Sequence, residues 1–316
     1  MNTGFGVVVP VNRRSIAFDI VPNSIAAQLL NMAKNSDIEW THHTFNPWWG
    51  CVKVSPACDH CYAEAWAKRT GSDVWGKDAP RRFFTEKHWG EPRQWNIDAK
   101  EKGIRYRVFC ASMADVFEKK AGLDEWREKL WDIIEQTPHL DWLLLTKRPQ
   151  NVAKMVPWGD TWPANVWLGT TVENQKWAET RIPHLLKIPA NVRFLSCEPL
   201  LGSLDLSKWH SSAAPTIDWV IAGGESGAAA RPMHPQWVKN LRDFCSKNKI
   251  AFHFKQWGHW IPSAMLDSLN GVKKSRKEVV LSGNLAVEMV AVGKKDAGRL
   301  LDGKTYDQFP LKRKAA

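Results

Sequence analysis

The chain of 316 residues has only three tyrosines and contains no long hydrophobic run. Because a membrane-spanning helix needs about 18 consecutive apolar residues, the sequence predicts no membrane segment. The first 35 residues lack the apolar core and the small-residue cleavage site of a secretory signal, which predicts a cytoplasmic protein. In a reducing compartment, the six cysteines are not expected to form a disulfide framework.

Positive charge and tryptophan are present in excess. Lysine and arginine total 44 against 33 aspartates and glutamates, which gives a net charge of +11, and there are 19 tryptophans. A hydrophobic content of 44% with 24% charged residues is typical of a globular protein rather than a disordered one. The basic balance indicates a polyanionic partner, most often a nucleic acid; the alternative is a solvated basic surface.

Three of the six cysteines lie within eleven residues, in the pattern C-x6-C-x2-C formed by Cys51, Cys58 and Cys61. Clustered thiols in a cytosolic protein usually bind a metal. A closed zinc site needs four ligands, whereas three thiolates suit a [4Fe–4S] cluster whose fourth iron stays open. Zinc completed by a distant histidine, and free thiols, are the alternatives. The other three cysteines lie in apolar runs and are expected in the core: Cys110, Cys197 and Cys245.

From residue 38 onwards, strand-like and helix-like segments alternate. Short apolar runs without polar alternation predict buried parallel strands at residues 105–112, 141–146, 165–172, 192–197, 218–223 and 250–256. Helices are predicted at residues 61–69, 123–135, 174–186 and 235–248. Repeated βα units predict an α/β fold, namely a full or partial (β/α) barrel over residues 37–261. Residues 1–36 are predicted to be an N-terminal extension, and residues 262–316 a small appendage with a hairpin and a basic tail.

Polar residues follow most of the predicted strands. In a (β/α) barrel the carboxyl ends of the strands meet at one mouth, so these residues are expected to lie together. The alternative for any one of them is an ordinary helix N-cap. The turn at residues 223–227 (GGESG) either brings backbone close to a ligand or only allows a tight turn. The polar residues in question are Ser112, Asp115, Lys147, Thr170, Glu173, Ser196 and Glu198.

A cysteine loop beside the first strand, followed by βα units, resembles the radical S-adenosylmethionine (SAM) superfamily. A wider set of motifs is similar to a phage- and prophage-encoded family of three-cysteine proteins. Two features depart from the superfamily: its usual cysteine loop is C-x3-C-x2-C, and residues 112–115 (SMAD) replace its Gly-Gly-Glu. The similar motifs are at residues 45–51 (FNPWWGC), 58–64 (CDHCYAE), 144–149 (LLTKRP), 196–200 (SCEPL), 223–226 (GGES) and 254–258 (FKQWG), with a C-terminal signature at residues 293–295 (GKK) and 298–303 (GRLLDG).

The resemblance implies a barrel of the radical SAM type and a [4Fe–4S] cluster on Cys51, Cys58 and Cys61, with SAM chelating the open iron. Reduction of the cluster would cleave SAM to methionine and a 5′-deoxyadenosyl radical, which abstracts hydrogen from a substrate. Ser112 and Asp115 would then bind the SAM ammonium group. The remaining SAM contacts would be made by His60 beside the adenine and by Thr170, Glu173 and Ser196 at the ribose or carboxylate.

Lys147, Glu198 and Lys255 would face the substrate as catalytic residues, together with Arg148. Cations near the mouth favour a phosphate-bearing substrate, hence a nucleic acid or nucleotide that is modified or repaired. The implied partners are a flavodoxin- or ferredoxin-type electron donor and a separately encoded protein. The alternatives are a non-catalytic nucleic-acid-binding module with a structural zinc or iron–sulfur site, and a radical SAM enzyme acting on a peptide or small metabolite.

The tryptophans divide into two groups. Those in the predicted strands and helices are expected in the core: Trp126, Trp131, Trp142, Trp167 and Trp219. Trp48, Trp49 and Trp257 adjoin the predicted site, where they either stack on a base or pack the loop.

Overall fold

Seven parallel strands form one sheet in the computed structural model, which describes residues 36, 38–210, 216–268 and 277–310. The strands are hydrogen-bonded in chain order, so the sheet is a partial (β/α) barrel with β1 and β7 at its edges. The predicted α/β fold with parallel strands is confirmed. The strands are β1 (His43–Thr44), β2 (Tyr106–Cys110), β3 (Leu140–Thr146), β4 (Val166–Thr171), β5 (Val192–Cys197), β6 (Trp219–Gly223) and β7 (Ala251–Gln256).

The helices lie between the strands. Four of them fall where the sequence predicts them, with ends within one residue of the predicted ones; α2 was not predicted. Asn174 caps α4 by accepting a hydrogen bond from the Trp177 amide, as expected of an N-cap residue. No helix in the described part of the chain is both long and apolar enough to cross a membrane. The helices are α1 (Tyr62–Arg69), α2 (Glu86–Glu101), α3 (Asp124–Gln136), α4 (Gln175–Leu186), α5 (Pro235–Lys247) and the short α6 (Lys294–Ala297).

Each central strand sends alternate side chains to two apolar layers. One layer packs against the helices and includes Trp131 and Trp142. The other lies on the inner face of the sheet and is rich in aromatic rings: Trp40, Phe109, Trp167, Phe194 and Trp219. Gly169 on β4 makes room for this layer, because a Cβ there would lie 2.3 Å from the Phe194 ring. The expected core positions of the strand tryptophans and of Cys110, Cys197 and Cys245 are confirmed.

A second, three-stranded sheet follows the barrel. It comprises β8 (Trp260–Pro262), β9 (Lys277–Ser282) and β10 (Leu285–Ala291), with β10 antiparallel to both neighbours. The predicted hairpin is therefore confirmed as β9–β10. The strand β8 spans residues 261 and 262, between which the sequence predicts a domain boundary.

Residues 298–309 pack along the free edge of β7. The Phe254 amide donates to the Tyr306 carbonyl at 2.9 Å, and the Gln308 amide donates to the Phe252 carbonyl at 3.2 Å. Phe309 then reaches the inner face of the sheet, where the Arg107 guanidinium lies 3.8 Å from its ring centroid. This segment belongs to the barrel and is not part of an appendage. The predicted N-terminal extension, apart from Ser36, and the basic tail at residues 312–314 lie outside the described residues.

Candidate functional site

A cavity of about 460 Å³ opens at the carboxyl ends of the barrel strands. This volume falls within the range of about 300–1,000 Å³ that is usual for small-molecule sites. The three cysteines of the loop, none of them in a disulfide, lie in its wall. Ten of the twelve predicted site residues line the cavity: Cys51, Cys58, Cys61, His60, Ser112, Asp115, Lys147, Ser196, Glu198 and Lys255.

Thr170 and Glu173 are the two predicted residues that do not line the cavity. Thr170 is fully buried and donates its hydroxyl to the Thr146 carbonyl at 2.9 Å, so it joins two strands. Its neighbour Thr171 lines the cavity instead. Because side chains alternate along a strand, Thr170 and Thr171 point to opposite faces of β4.

Glu173 supports the cysteine loop from below. The loop contains a 3-10 turn, Pro56–Cys58, and the Ala57 amide donates to the Glu173 Oε1 at 3.3 Å. The other oxygen of this carboxylate accepts a hydrogen bond from Arg181 at 2.8 Å, and both side chains are almost completely inaccessible to solvent. The predicted SAM contact of Glu173 is thus replaced by a buried ion pair that anchors the turn between Cys51 and Cys58.

Arg231 and Glu225 hold the same loop from the other side. Arg231 forms two side-chain hydrogen bonds to the Glu225 carboxylate, at 2.6 and 2.9 Å, and donates to the Pro56 carbonyl at 2.8 Å. It also pairs with Asp59 at 3.2 Å, while the ring of His60 lies 3.1 Å from Glu225. These contacts tie the turn and the Asp59–His60 dipeptide to the end of β6. We call Arg231 and Glu225 the loop clamp.

The charge of Glu225 is stabilised by its partners. Burial alone would raise its pKa, but hydrogen bonds from Arg231 and His60 outweigh burial and hold the pKa below its ordinary value. A carboxyl group with a lowered pKa in the folded state stabilises the protein above its ordinary pKa of about 4.5. That contribution disappears as the pH falls through the lowered value, so the clamp should persist throughout the neutral range.

Replacing Arg231 with alanine is expected to expose the loop without unfolding the protein. Charged hydrogen bonds at a partly exposed site contribute on the order of 1 kcal/mol, so local opening should become about fivefold more frequent. The measurement is the labelling rate of Cys58 by a thiol reagent, quantified by peptide mass spectrometry. Arg105→Ala is the matched control, because Arg105 pairs with buried Asp141 and two carbonyls at the amino end of β3. Equal labelling rates in the two variants would contradict the clamp.

Asp115 joins the ends of β2 and β3. It accepts hydrogen bonds from the Thr146 hydroxyl at 2.7 Å, from the Lys147 amide at 3.0 Å and from Arg148 at 2.7 Å. These donors already occupy the carboxylate that was predicted to bind an ammonium group. Because Arg148 is buried in this pair, it is not a free cation for a substrate.

Arg148 also contacts the first cysteine. Its guanidinium lies 3.7 Å from the Cys51 sulfur and donates to the Val52 carbonyl at 2.7 Å. Burial and the nearby Asp115 raise the pKa of the Cys51 thiol to about 12, against the opposing effect of Arg148. In the metal-free protein Cys51 is therefore a protonated thiol, and binding of a metal group would release its proton.

Two glycines, one in the GGESG turn and one after β7, allow a close approach of the backbone. A Cβ on Gly224 would lie 2.0 Å from the Trp257 carbonyl oxygen, and a Cβ on Gly258 would lie 2.2 Å from the Glu225 carbonyl oxygen. The backbones after β6 and β7 thus pack directly against each other.

None of the tryptophans predicted to adjoin the site lines the cavity. Trp257 and Trp48 are buried, and Trp49 packs against Trp66.

The sequence interpretation missed Arg181, Arg231, Gln256 and Lys294. Gln256 and Lys294 line the cavity, and the two arginines act on the cysteine loop from elements distant in sequence. No local pattern marks such pairings. Gln256 and Lys294, which lie within the motifs at residues 254–258 and 293–295, carried a signal that could have been used.

Comparison with known proteins identifies the family. Residues 35–310 match the family described as "protein of unknown function (DUF5131)". The chain belongs to this family. No curated protein and no solved structure matches it. The DUF5131 match spans the seven-stranded sheet, the second sheet and the C-terminal segment.

The donor set of this DUF5131 protein suits an iron–sulfur cluster. Cys51, Cys58 and Cys61 line the same cavity, and thiols are the soft donors that could each ligate a different iron. Within the described ranges, no group of three or more His, Cys, Asp or Glu side chains is arranged to hold a single metal ion. The assignment of the cluster to these thiols stays a prediction.

Proposed function

We propose that this protein is a radical SAM enzyme. The observation that carries the proposal is the position of Cys51, Cys58 and Cys61, three free thiols in the wall of one cavity at the carboxyl ends of parallel barrel strands. Active sites of (β/α) barrels lie at this end, and three thiolates leave one iron of a [4Fe–4S] cluster open for a cosubstrate. In this proposal the partial barrel is of the radical SAM type.

The chemistry would come from the bound groups, and the chain would position and shield them. When bound, a reduced [4Fe–4S] cluster would supply the electron that splits SAM into methionine and a 5′-deoxyadenosyl radical able to abstract hydrogen. Cys51, Cys58 and Cys61 would hold the cluster, while the loop clamp and Glu173 fix the loop that carries them. Ser196, Thr171 and Ser112 line the cavity, and their hydroxyls would offer hydrogen bonds to SAM.

The cavity floor would exclude water from a reactive radical. Ile38, Trp40, Phe109 and Leu145 line the cavity from the inner layer of the barrel. An apolar floor leaves few hydrogen-bonding sites for water next to the reacting atoms. This division, with polar groups on the walls and apolar groups beneath, suits an intermediate that must be protected from solvent.

The proposed substrate is a nucleic acid or nucleotide. Lys147 and Lys294 line the cavity, and no ion-pair partner of Lys147 is found among the described residues. Together with the net charge of +11, these cations favour a phosphate-bearing molecule. A small flavodoxin- or ferredoxin-type protein is the proposed electron donor, and a separately encoded partner protein remains part of the proposal.

Anaerobic reconstitution with iron and sulfide tests this function. We expect a brown protein that forms 5′-deoxyadenosine from SAM when a strong reductant is present. Omission of the reductant is the control, because cleavage requires an electron. One tightly bound zinc ion and no SAM cleavage would overturn the proposal and favour a structural metal site.

A further inference from the structure

One cavity wall carries an ion pair that neither the cluster nor the loop clamp uses. Glu198 follows β5 and Lys255 lies in β7, and their Oε1 and Nζ atoms are 2.7 Å apart. Both side chains line the cavity and are less than one-fifth exposed. Because the pair is neutral overall, Lys255 does not present the free positive charge that a phosphate group would require.

The pair retains unused hydrogen-bonding capacity. Within the described part of the chain, Glu198 accepts hydrogen bonds only through Oε1, which leaves Oε2 as an open acceptor. Lys255 uses one of its three N–H donors on Glu198. A donor and an acceptor therefore lie side by side on this wall.

Gln256 adds a second unmet group beside the pair. Its amide nitrogen donates to the Ser226 hydroxyl at 2.8 Å, with longer contacts of 3.4 Å to Glu198 and to the Gly224 carbonyl. Its Oε1 is buried and has no hydrogen-bond partner among the described residues. An unsatisfied buried acceptor is costly, and a ligand donor would remove that cost if the side chain turned towards it.

The floor of the same cavity is aromatic. Trp40 and Phe109 line it with ring centroids 4.7 Å apart and ring planes inclined at 59°. A ligand that fits both surfaces has an apolar, aromatic face and an uncharged edge with a donor next to an acceptor. A nucleobase has these properties, whereas a free phosphate or an aliphatic chain does not.

We propose that Glu198, Lys255 and Gln256 form a recognition site for the base of a substrate nucleotide. Glu198 Oε2 accepts from a ring N–H or exocyclic amine, and Lys255 Nζ donates to the adjoining carbonyl or ring nitrogen. Lys147 binds the phosphate of the same nucleotide. The inference rests on the proposed function for the reaction that follows binding, but recognition of the base needs no cluster.

Calorimetric titration of the full-length, metal-free protein tests the site. The probes are the four nucleoside 5′-monophosphates and the corresponding nucleosides. We expect at least one nucleotide to bind. Lys255→Met should lower the affinity for that nucleotide and for its nucleoside about tenfold or more. Lys147→Met should lower the affinity for the nucleotide only. The control is Lys277→Met, which breaks the exposed pair with Glu288 on the hairpin and should change neither affinity.

Two further measurements keep the test decisive. Glu198→Gln preserves the shape of the side chain and should lower the affinity for the same base. The test therefore does not depend on the folding of one variant. S-adenosylhomocysteine is titrated in parallel. If Lys255→Met lowers the affinity for S-adenosylhomocysteine as much as the affinity for the nucleotide, the pair belongs to the SAM pocket and the inference is overturned.

Failure of the inference differs from failure of the proposed function. Binding of no nucleotide by a protein that cleaves SAM overturns the recognition site alone. Base-dependent binding by a protein that never cleaves SAM overturns the radical SAM proposal and supports the site. Equal affinities of Lys255→Met and Lys277→Met for every nucleotide overturn the recognition site in either case.

Discussion

Replacing Cys58 with alanine is expected to abolish cluster assembly and SAM cleavage, whereas Cys245→Ala should leave both intact. Cys58 lies in the cavity wall, while Cys245 is buried in the apolar layer between α5 and the sheet. Loss of a ligand leaves one iron without its thiolate. The effect should exceed the 10- to 100-fold loss that is roughly typical when a residue behind a metal ligand is removed.

The measurement is the iron and sulfide content after anaerobic reconstitution, followed by 5′-deoxyadenosine formation. Circular dichroism of both variants checks that the fold is retained, since both replaced side chains are buried. A Cys58→Ala protein that still holds iron and cleaves SAM would remove Cys58 from the ligand set. Loss of iron in Cys245→Ala as well would mean that general destabilisation, and not ligation, explains the result.

The largest loss of stability is expected from Arg181→Leu. This substitution leaves the Glu173 carboxylate buried without its cation, which generally costs about 3–5 kcal/mol. It also removes a 2.9 Å hydrogen bond to the Thr171 carbonyl and the packing of the guanidinium over Trp177. Because Glu173 also anchors the Ala57 amide, the cysteine loop should loosen in the same variant.

Urea denaturation measures this effect. Arg242→Leu is the control, because Arg242 pairs with the more exposed Asp302. This variant should lose about 1 kcal/mol or less of its free energy of unfolding. The double variant Arg181→Leu/Glu173→Leu should lose less stability than Arg181→Leu alone, since it no longer buries an unpaired charge. A single-variant loss no greater than that of Arg242→Leu would show that the buried pair does not stabilise the fold.

The strands and most helices were predictable because their signals are local. Short apolar runs covered on both faces define β2 to β7, and amphipathic patterns define four of the helices. The helix α2 was missed because Gly90 and Pro92 lie inside it and normally interrupt helices. The strand β1 was missed because two residues are too few to form a pattern.

The position of the cavity could be predicted from the sequence, but the charges of its lining residues could not. Polar residues at strand ends indicated the mouth correctly, and the side-chain alternation on β4 would have selected Thr171 over Thr170. The charges could not be assigned in this way, because their partners are distant in sequence. Arg148 is neutralised by Asp115, and Lys255 by Glu198, so two of the predicted substrate cations carry no free charge.

The pairing of residues 298–309 with the edge of β7 has a consequence for biosynthesis. A ribosome-bound chain that has emerged only as far as Gln256 contains the residues of all seven strands but lacks the segment that covers the edge of the last one. An uncovered edge strand is a template for pairing with another chain. The nascent protein therefore depends on rapid delivery of Tyr306 to β7, and premature termination between these points should direct the polypeptide towards aggregation or proteolysis.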